Sequence, residues 1–91
     1  MNLNSIFWAD SLVVDLKYDD QNNSLSLNIK DFRNDLFIII FEEISHLYIN
    51  DPVYFIEVNN KKKGQKYEID FWDDEEKVLS FEYTNVMITN Y

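Results

Sequence analysis

The residues with catalytic potential are few and badly placed for chemistry. His46 is the one histidine; it follows Ser45, and Glu42 and Glu43 lie just before the pair. A serine nucleophile needs a base within hydrogen-bond reach and an acid to orient that base. Neighbours along an extended chain point to opposite faces, so Ser45 and His46 do not meet, and an ordinary surface histidine is the simpler reading. Asp20, Asn22 and Ser24 have calcium-loop spacing with Asp31 in the twelfth place, but Leu25 stands where such a loop needs glycine. The chain has no cysteine, which excludes thiolate metal sites and disulfides. Its only glycine, Gly64, leaves no Gly-rich loop to cradle a phosphate. Carboxylates are abundant enough for glycoside chemistry, yet no spacing singles out two of them. The expectation is a non-enzyme without metal or cofactor.

What the composition offers instead is a charged surface on a well-filled core. Eight basic residues against 17 acidic ones give a net charge of −9 in a chain of 91 residues, enough for one domain spanning 1–91. Hydrophobic residues make up 46% and aromatic residues 16%, more than a disordered acidic tail carries. Phosphate contacts require clusters of Lys and Arg, so nucleic acid is a poor direct partner, and anionic membranes are disfavoured for the same reason. A basic protein, by contrast, is attracted and steered. Met1 to Trp8 lacks a signal-peptide pattern. The longest apolar run, Leu36–Phe41, falls far short of the roughly 20 residues that span a bilayer. A cytoplasmic protein is expected.

Period-two alternation dominates the chain. Leu12, Val14, Leu16 and Tyr18 alternate with Asp15 and Lys17, and Leu25, Leu27 and Ile29 alternate with Ser24, Ser26, Asn28 and Lys30. Leu36–Phe41 has no polar break, as in a strand buried on both faces. Val53–Val58 follows Pro52. Tyr67, Ile69 and Phe71 alternate with Glu68, Asp70 and Trp72, and Leu79, Phe81 and Tyr83 with Ser80 and Glu82, Val86–Ile88 continuing that last strand. Asp19–Asn23, Asn59–Gln65 and Asp73–Lys77 are the connections. The fold class is all-β, an antiparallel sheet or small β-sandwich of about six strands. The alternative is α+β with one short helix near 41–48, because Phe41, Ile44, Leu47 and Tyr48 also fit helical spacing. Shifting the chain by 40 pairs Ile29 with Ile69, Phe41 with Phe81 and Glu42 with Glu82. That pattern suggests two similar three-stranded units related by a pseudo-twofold.

The same alternation selects a contact surface. Opposite Tyr67, Ile69 and Phe71 stand Glu68, Asp70 and Trp72; the next strand adds Glu82 and the preceding one Phe55 and Glu57. The acidic connection Asp73, Asp74, Glu75 and Glu76 borders them. If the strands are adjacent, carboxylates surround two aromatic anchors on one face, the anchors supplying the buried contact area. Lys61, Lys62, Lys63 and Lys66 carry half of the positive charge and are expected at a solvated hairpin tip.

In size, acidity, lack of cysteine and all-β patterning the chain resembles the small acidic bacterial immunity proteins, including those of contact-dependent growth inhibition systems. Locally, Trp8-Ala9-Asp10-Ser11 before the Leu12–Tyr18 strand is similar to the Trp-His-Asp-Ser/Ala opening of some small bacterial β families, several of them immunity-like. Ala9 replaces the histidine, so no role for that residue transfers. The resemblance implies a cognate toxin bound tightly in the cytoplasm, commonly a nuclease. The expected function is therefore an immunity or inhibitor protein that neutralises a basic toxin. Two other readings stay open: a phage-type anti-CRISPR or anti-restriction mimic of nucleic acid, and a non-catalytic β domain that oligomerises through an exposed strand edge. The oligomeric state is not legible.

Overall fold

A computed structural model describes residues 3–91; Met1 and Asn2, the start of the stretch read for a signal, lie outside the described residues. A short 3₁₀ turn, Leu3–Ser5, precedes nine strands: β1 Ser11–Asp19, β2 Ser24–Lys30, β3 Leu36–Glu42, β4 Ser45–Ile49, β5 Tyr54–Phe55, β6 Glu57–Lys63, β7 Lys66–Asp73, β8 Glu76–Tyr83 and β9 Asn85–Asn90. They form two antiparallel sheets, β5-β1-β2-β3-β9 (sheet A) and β4-β8-β7-β6 (sheet B). The all-β sandwich expected from the alternation is what the chain adopts. The strand count rises from six to nine because three of the expected strands bend from one sheet into the other.

The three bends lie at Glu43–Ile44, Ile56 and Thr84. A strand that leaves its sheet abandons its ladder partners, so each corner must find others for its backbone. Ile44 donates its N–H to the Asn23 carbonyl at 3.3 Å, Ile56 to the Trp72 carbonyl at 2.8 Å, and Thr84 to the Glu42 carbonyl at 3.1 Å. The Thr84 hydroxyl also donates to the Glu43 carboxylate at 2.6 Å, tying two corners together. Glu43 takes a left-handed φ of 59°, and no helix forms at 41–48. The helical spacing there comes from a corner: Phe41 faces the interior from sheet A, Ile44 plugs the bend, and Leu47 packs inward from sheet B.

The two three-stranded units are present, and each is completed by the other's last strand. Sheet A takes β9 from the second half of the chain, and sheet B takes β4 from the first. Glu42 faces Asn85 in sheet A and Glu82 faces Ser45 in sheet B, so both members of the pair, Glu42 to Glu82 and Ser45 to Asn85, move by 40. The offset is not uniform. Leu25 faces Phe41 and Ile69 faces Phe81, so the counterpart of Ile69 is Leu25 rather than Ile29. The main reason is a longer loop in the first half, residues 31–35, where the second half turns through Asp74–Glu75 alone.

The core is where the inner faces meet. Leu25, Leu27, Ile29, Phe37, Ile39 and Phe41 from sheet A pack on Ile69, Phe71, Leu79, Phe81 and Tyr83 from sheet B. Edge-on ring contacts lock them, with Phe41 centred 4.8 Å from Phe81 and 4.9 Å from Tyr83. Removing each such side chain from water contributes about 1.5–3 kcal/mol. Trp8 closes one end by packing on Phe55 and Phe71, its indole N–H donated to the Leu3 carbonyl at 3.2 Å. β3 is not buried on both faces: Phe37, Ile39 and Phe41 point inward, while Leu36 is 42% exposed and Ile38 and Ile40 are half-buried. Among the described residues no further layer covers the outer face of sheet A, so the outward residues of this apolar run stay partly exposed.

Candidate functional site

The outer face of sheet B brings together most of the acidic residues singled out by alternation. β7 is central, and its register against β6 and β8 sets side chains in rows. One row runs Glu57, Trp72, Lys77; the next Asn59, Asp70, Ser80, with Tyr48 of β4 beside Ser80; the third Lys61, Glu68, Glu82, Ser45. Asp74 and Glu75 make the β7–β8 turn at one end of this face, Asp74 with a left-handed φ of 55°, and Asp73 and Glu76 flank the turn one residue beyond the Trp72–Lys77 row, on the alternate side of the pleat. Glu57, Glu68, Asp70, Trp72 and Glu82 therefore share one surface, as expected.

Two corrections follow from the bends and from the lysines. Phe55 is not on this surface. The chain changes sheet at Ile56, so Phe55 belongs to β5 at the edge of sheet A. There it is fully buried, 4.7 Å from the Phe71 ring centre, and has nothing to present to a partner. The lysines do not form a solvated tip apart from the acids either. β6 extends to Lys63 and only Gly64–Gln65 turn, so Lys61 and Lys63 stand in the ladder on the acidic face itself. Lys63 lies 3.4 Å from Glu68 and 3.5 Å from Glu82, and Lys61 lies 3.7 Å from Glu68. The two carboxylates hold the Lys63 ammonium above its ordinary pKa, Glu68 most strongly. Burial alone raises the Glu82 pKa, but His46, Lys63 and Lys66 outweigh it and keep Glu82 below the usual carboxylate range.

The face thus has two ends of opposite character. At the β6–β7 hairpin end, acids and lysines are zipped together. At the β7–β8 turn, Glu57, Asp70, Asp73, Asp74, Glu75 and Glu76 form no ion pair among the described residues. Ser80 donates to Asp70 at 2.6 Å, and the Asn50 amide to Glu76 at 2.7 Å. Tyr54 donates its hydroxyl to Asp10 near this end, and that bond, with Asp73 also contributing, raises the phenol's pKa. Trp72 sits half-buried amid these charges, its enclosed indole N–H without an acceptor among the described residues.

Ser45 and His46 do not point to opposite faces as extended-chain neighbours would, because a bulge turns both toward the same oxygen of Glu82. His46 has a left-handed φ of 53° in a bulge of β4 and points its Nδ1 toward Glu82 at 3.5 Å, while the Ser45 hydroxyl contacts Glu82 and Lys66. Among the described residues no cluster of His, Asp and Glu is placed to hold a metal ion. A cleft of about 440 Å³ opens between the sheets near the zipped end, where Tyr67 and Tyr83 stack beside Asn60. Tyr83 donates to the Asn60 side chain at 2.8 Å, and burial pushes its phenol up to about 12.

One surface feature escaped the sequence reading. Phe7 and Phe32, 52% and 59% exposed, meet edge-on at 5.5 Å, and the Arg33 guanidinium lies 4.3 Å above the Phe7 ring. Arg33 is held there by the buried carboxylate of Asp31, 2.8 Å away. Alternation cannot find such a cluster, because it joins a loop to the segment before β1. Phe32 in the otherwise polar loop 31–35 was its only signal, since Phe7 lies between Ile6 and Trp8 in an apolar segment.

No family model and no curated protein matches the chain. Among solved structures it is similar to an uncharacterized protein from Neisseria gonorrhoeae, with a TM-score of 0.70 at 15% identity, covering 91% of this chain and 92% of that one. That likeness extends to the fold.

Proposed function

We propose that this protein binds and neutralises a basic protein toxin, of the nuclease kind, through the acidic end of the outer face of sheet B. The observation that carries the reading is the segregation of charge on that face. Lys61, Lys63 and Lys66 gather at the hairpin end, while at the other end Lys77 alone stands in the ladder beside Trp72, and Glu57, Asp70 and Asp73–Glu76 form no ion pair among the described residues. Six carboxylates gathered around one lysine repel one another, and a basic partner relieves that repulsion. In a nuclease the groups that grip phosphate would meet these carboxylates, with Trp72 and Tyr48 as the apolar contact. The likeness to small acidic immunity proteins supports the same reading.

The test is association of the purified protein with the product of the neighbouring gene, which this reading requires to be a basic toxin domain, followed by stopped flow across a salt series. Steered association speeds up by about 10–1,000-fold at low salt. Neutralising the turn with Asp73→Asn, Asp74→Asn, Glu75→Gln and Glu76→Gln together is expected to remove most of that acceleration. A complex that forms equally fast at high salt, or with this variant, would sink the assignment of the surface; no complex at low salt would sink the function.

A further inference from the structure

A sandwich of two open sheets has four edges, each a row of unpaired backbone groups that invites another strand. Three are blunted here. β5 is only the two residues Tyr54–Phe55, and the stretch of β1 it leaves uncovered carries Asp15, Lys17 and Asp19 and a register shift between Val13 and Asp15. β6 ends in Lys61, Lys62 and Lys63, whose charges oppose edge pairing. β4 is broken by a register shift between Ser45 and Tyr48, with His46 in the left-handed region. The fourth edge, β9, has none of these devices. Asn85-Val86-Met87-Ile88-Thr89-Asn90 contains no charge and no proline, pairs with β3 without a register shift, and has no left-handed residue.

The pseudo-twofold sharpens this contrast, because β4 and β9 occupy equivalent places in the two sheets. One copy of the edge is spoiled and the other, among the described residues, carries no such device, so the contrast does not follow from the fold. Tyr91 donates its N–H to the Leu36 carbonyl at 2.9 Å, which puts the odd-numbered residues of β9 in hydrogen-bonding register with β3. By antiparallel alternation, Val86, Ile88 and Asn90 then direct their N–H and C=O groups to the open side. That pattern is symmetric about Ile88, and it makes the strand its own complement.

We infer that β9 is a homodimer interface, pairing antiparallel with β9 of a second copy about a twofold axis at Ile88. In this register Val86 faces Asn90 of the partner subunit, and Met87 faces Thr89 of the partner subunit. Inner and outer faces stay matched, and two five-stranded sheets become one continuous sheet. The half-buried Ile38 and Ile40 and the 51%-exposed Met87 of each copy adjoin across the axis. No like charges meet in the strand itself, so the opposition to pairing is the long-range repulsion between two chains at −9 each. Salt screens that repulsion, with a Debye length of about 8 Å at 0.15 M. The dimer therefore tightens as salt rises, whereas a complex with a basic toxin loosens; the two readings fail separately.

Sedimentation equilibrium across protein and salt concentrations tests the inference. The expected result is a monomer–dimer equilibrium shifting to dimer with added salt, with amide exchange at Val86, Ile88 and Asn90 slowed in the dimer. M87K/T89K sets lysine opposite lysine on solvent-facing positions and should yield monomer with an unchanged circular dichroism spectrum. M87K/T89E sets lysine opposite glutamate and should restore the dimer. A wild-type chain that stays monomeric throughout, or a dimer that survives M87K/T89K, would overturn it.

Discussion

The two halves of this chain share a plan and differ in almost everything outside the core. Leu25, Leu27 and Phe41 in the first half match Ile69, Phe71 and Phe81 in the second by register, and all are buried. The connections and outer faces do not match. The first half has a five-residue loop, 31–35, built on a buried aspartate, and an outer face with the apolar column Leu36, Ile38 and Ile40. The second has two-residue turns, Gly64–Gln65 and Asp74–Glu75, and an outer face of acids and lysines. Packing constrains the inner positions of both halves alike, so the differences lie where binding is cheap to build. The outer face of sheet A carries charge too, in Asp15, Lys17, Lys30 and Glu42, but there it is mixed with the apolar column.

The largest effect comes from breaking what the halves share. Phe71→Ala removes a ring that touches Phe55, Trp8 and Phe81, and is expected to cost about 3–5 kcal/mol. Leu27→Ala, at the matching place in sheet A, should cost about 2–5 kcal/mol. Domains of this size have only about 5–15 kcal/mol in all, so either change brings the protein close to unfolding. Urea titration followed by near- and far-ultraviolet circular dichroism should show a single transition in both variants. A Leu27→Ala protein that melts in two steps would mean that the halves are separate folding units, and the swapped strands β4 and β9 would lose their role as ties.

Asp31 tests a feature found in one half alone. Its carboxylate is buried, accepts backbone N–H groups from Arg33 at 2.9 Å and Asp35 at 3.1 Å, and pairs with the Arg33 guanidinium at 2.8 Å. Burial on its own pushes the carboxyl's pKa up; the Arg33 side chain, the two backbone donors and the charge of Arg33 outweigh it and hold it below the usual value. A group whose folded pKa is depressed stabilises above its unfolded pKa and loses that contribution as pH falls through the folded value. Asp31→Asn is thus expected to cost about 1–3 kcal/mol at neutral pH. The gap from wild type should narrow below about pH 4, where free aspartate protonates. A constant gap from pH 7 to 3 would show that the loop is held by shape and not by the charge.

How far the sequence spoke for itself follows the same division. Period-two alternation located the core strands and the outward set Glu57, Glu68, Asp70, Trp72 and Glu82, because alternation is a local consequence of the pleat. In β1 it failed, where a register shift between Val13 and Asp15 puts Leu12 and Leu16 on opposite faces and leaves Val14 exposed. It gave no sign of where a strand leaves its sheet. Val53–Val58 reads as one strand, and only the bend at Ile56 sends Phe55 inward and Glu57 outward. Nor does spacing tell which strand ends lie side by side. The lysines of β6 looked like a separate tip because they precede Gly64, yet the hairpin folds them back against Glu68 and Glu82.

Lys63 gives the smallest effect on stability and the sharpest comparison between the two ends of the charged face. Its ammonium reaches Glu68 and Glu82 from an exposed position on β6. Exposed ion pairs contribute little to folding, because both groups are already solvated and two long side chains must be ordered. Lys63→Ala should therefore leave the melting temperature within experimental scatter. The consequence for the field is larger: two carboxylates in the middle of the face lose their shared counter-charge, and the acidic surface extends from the β7–β8 turn toward the hairpin. Association with a basic partner should then become faster at low salt and unchanged at high salt, the opposite of what neutralising Asp73–Glu76 does. If Lys63→Ala slowed association instead, the lysine end of the face would be part of the contact, and the partner would carry acids to meet it.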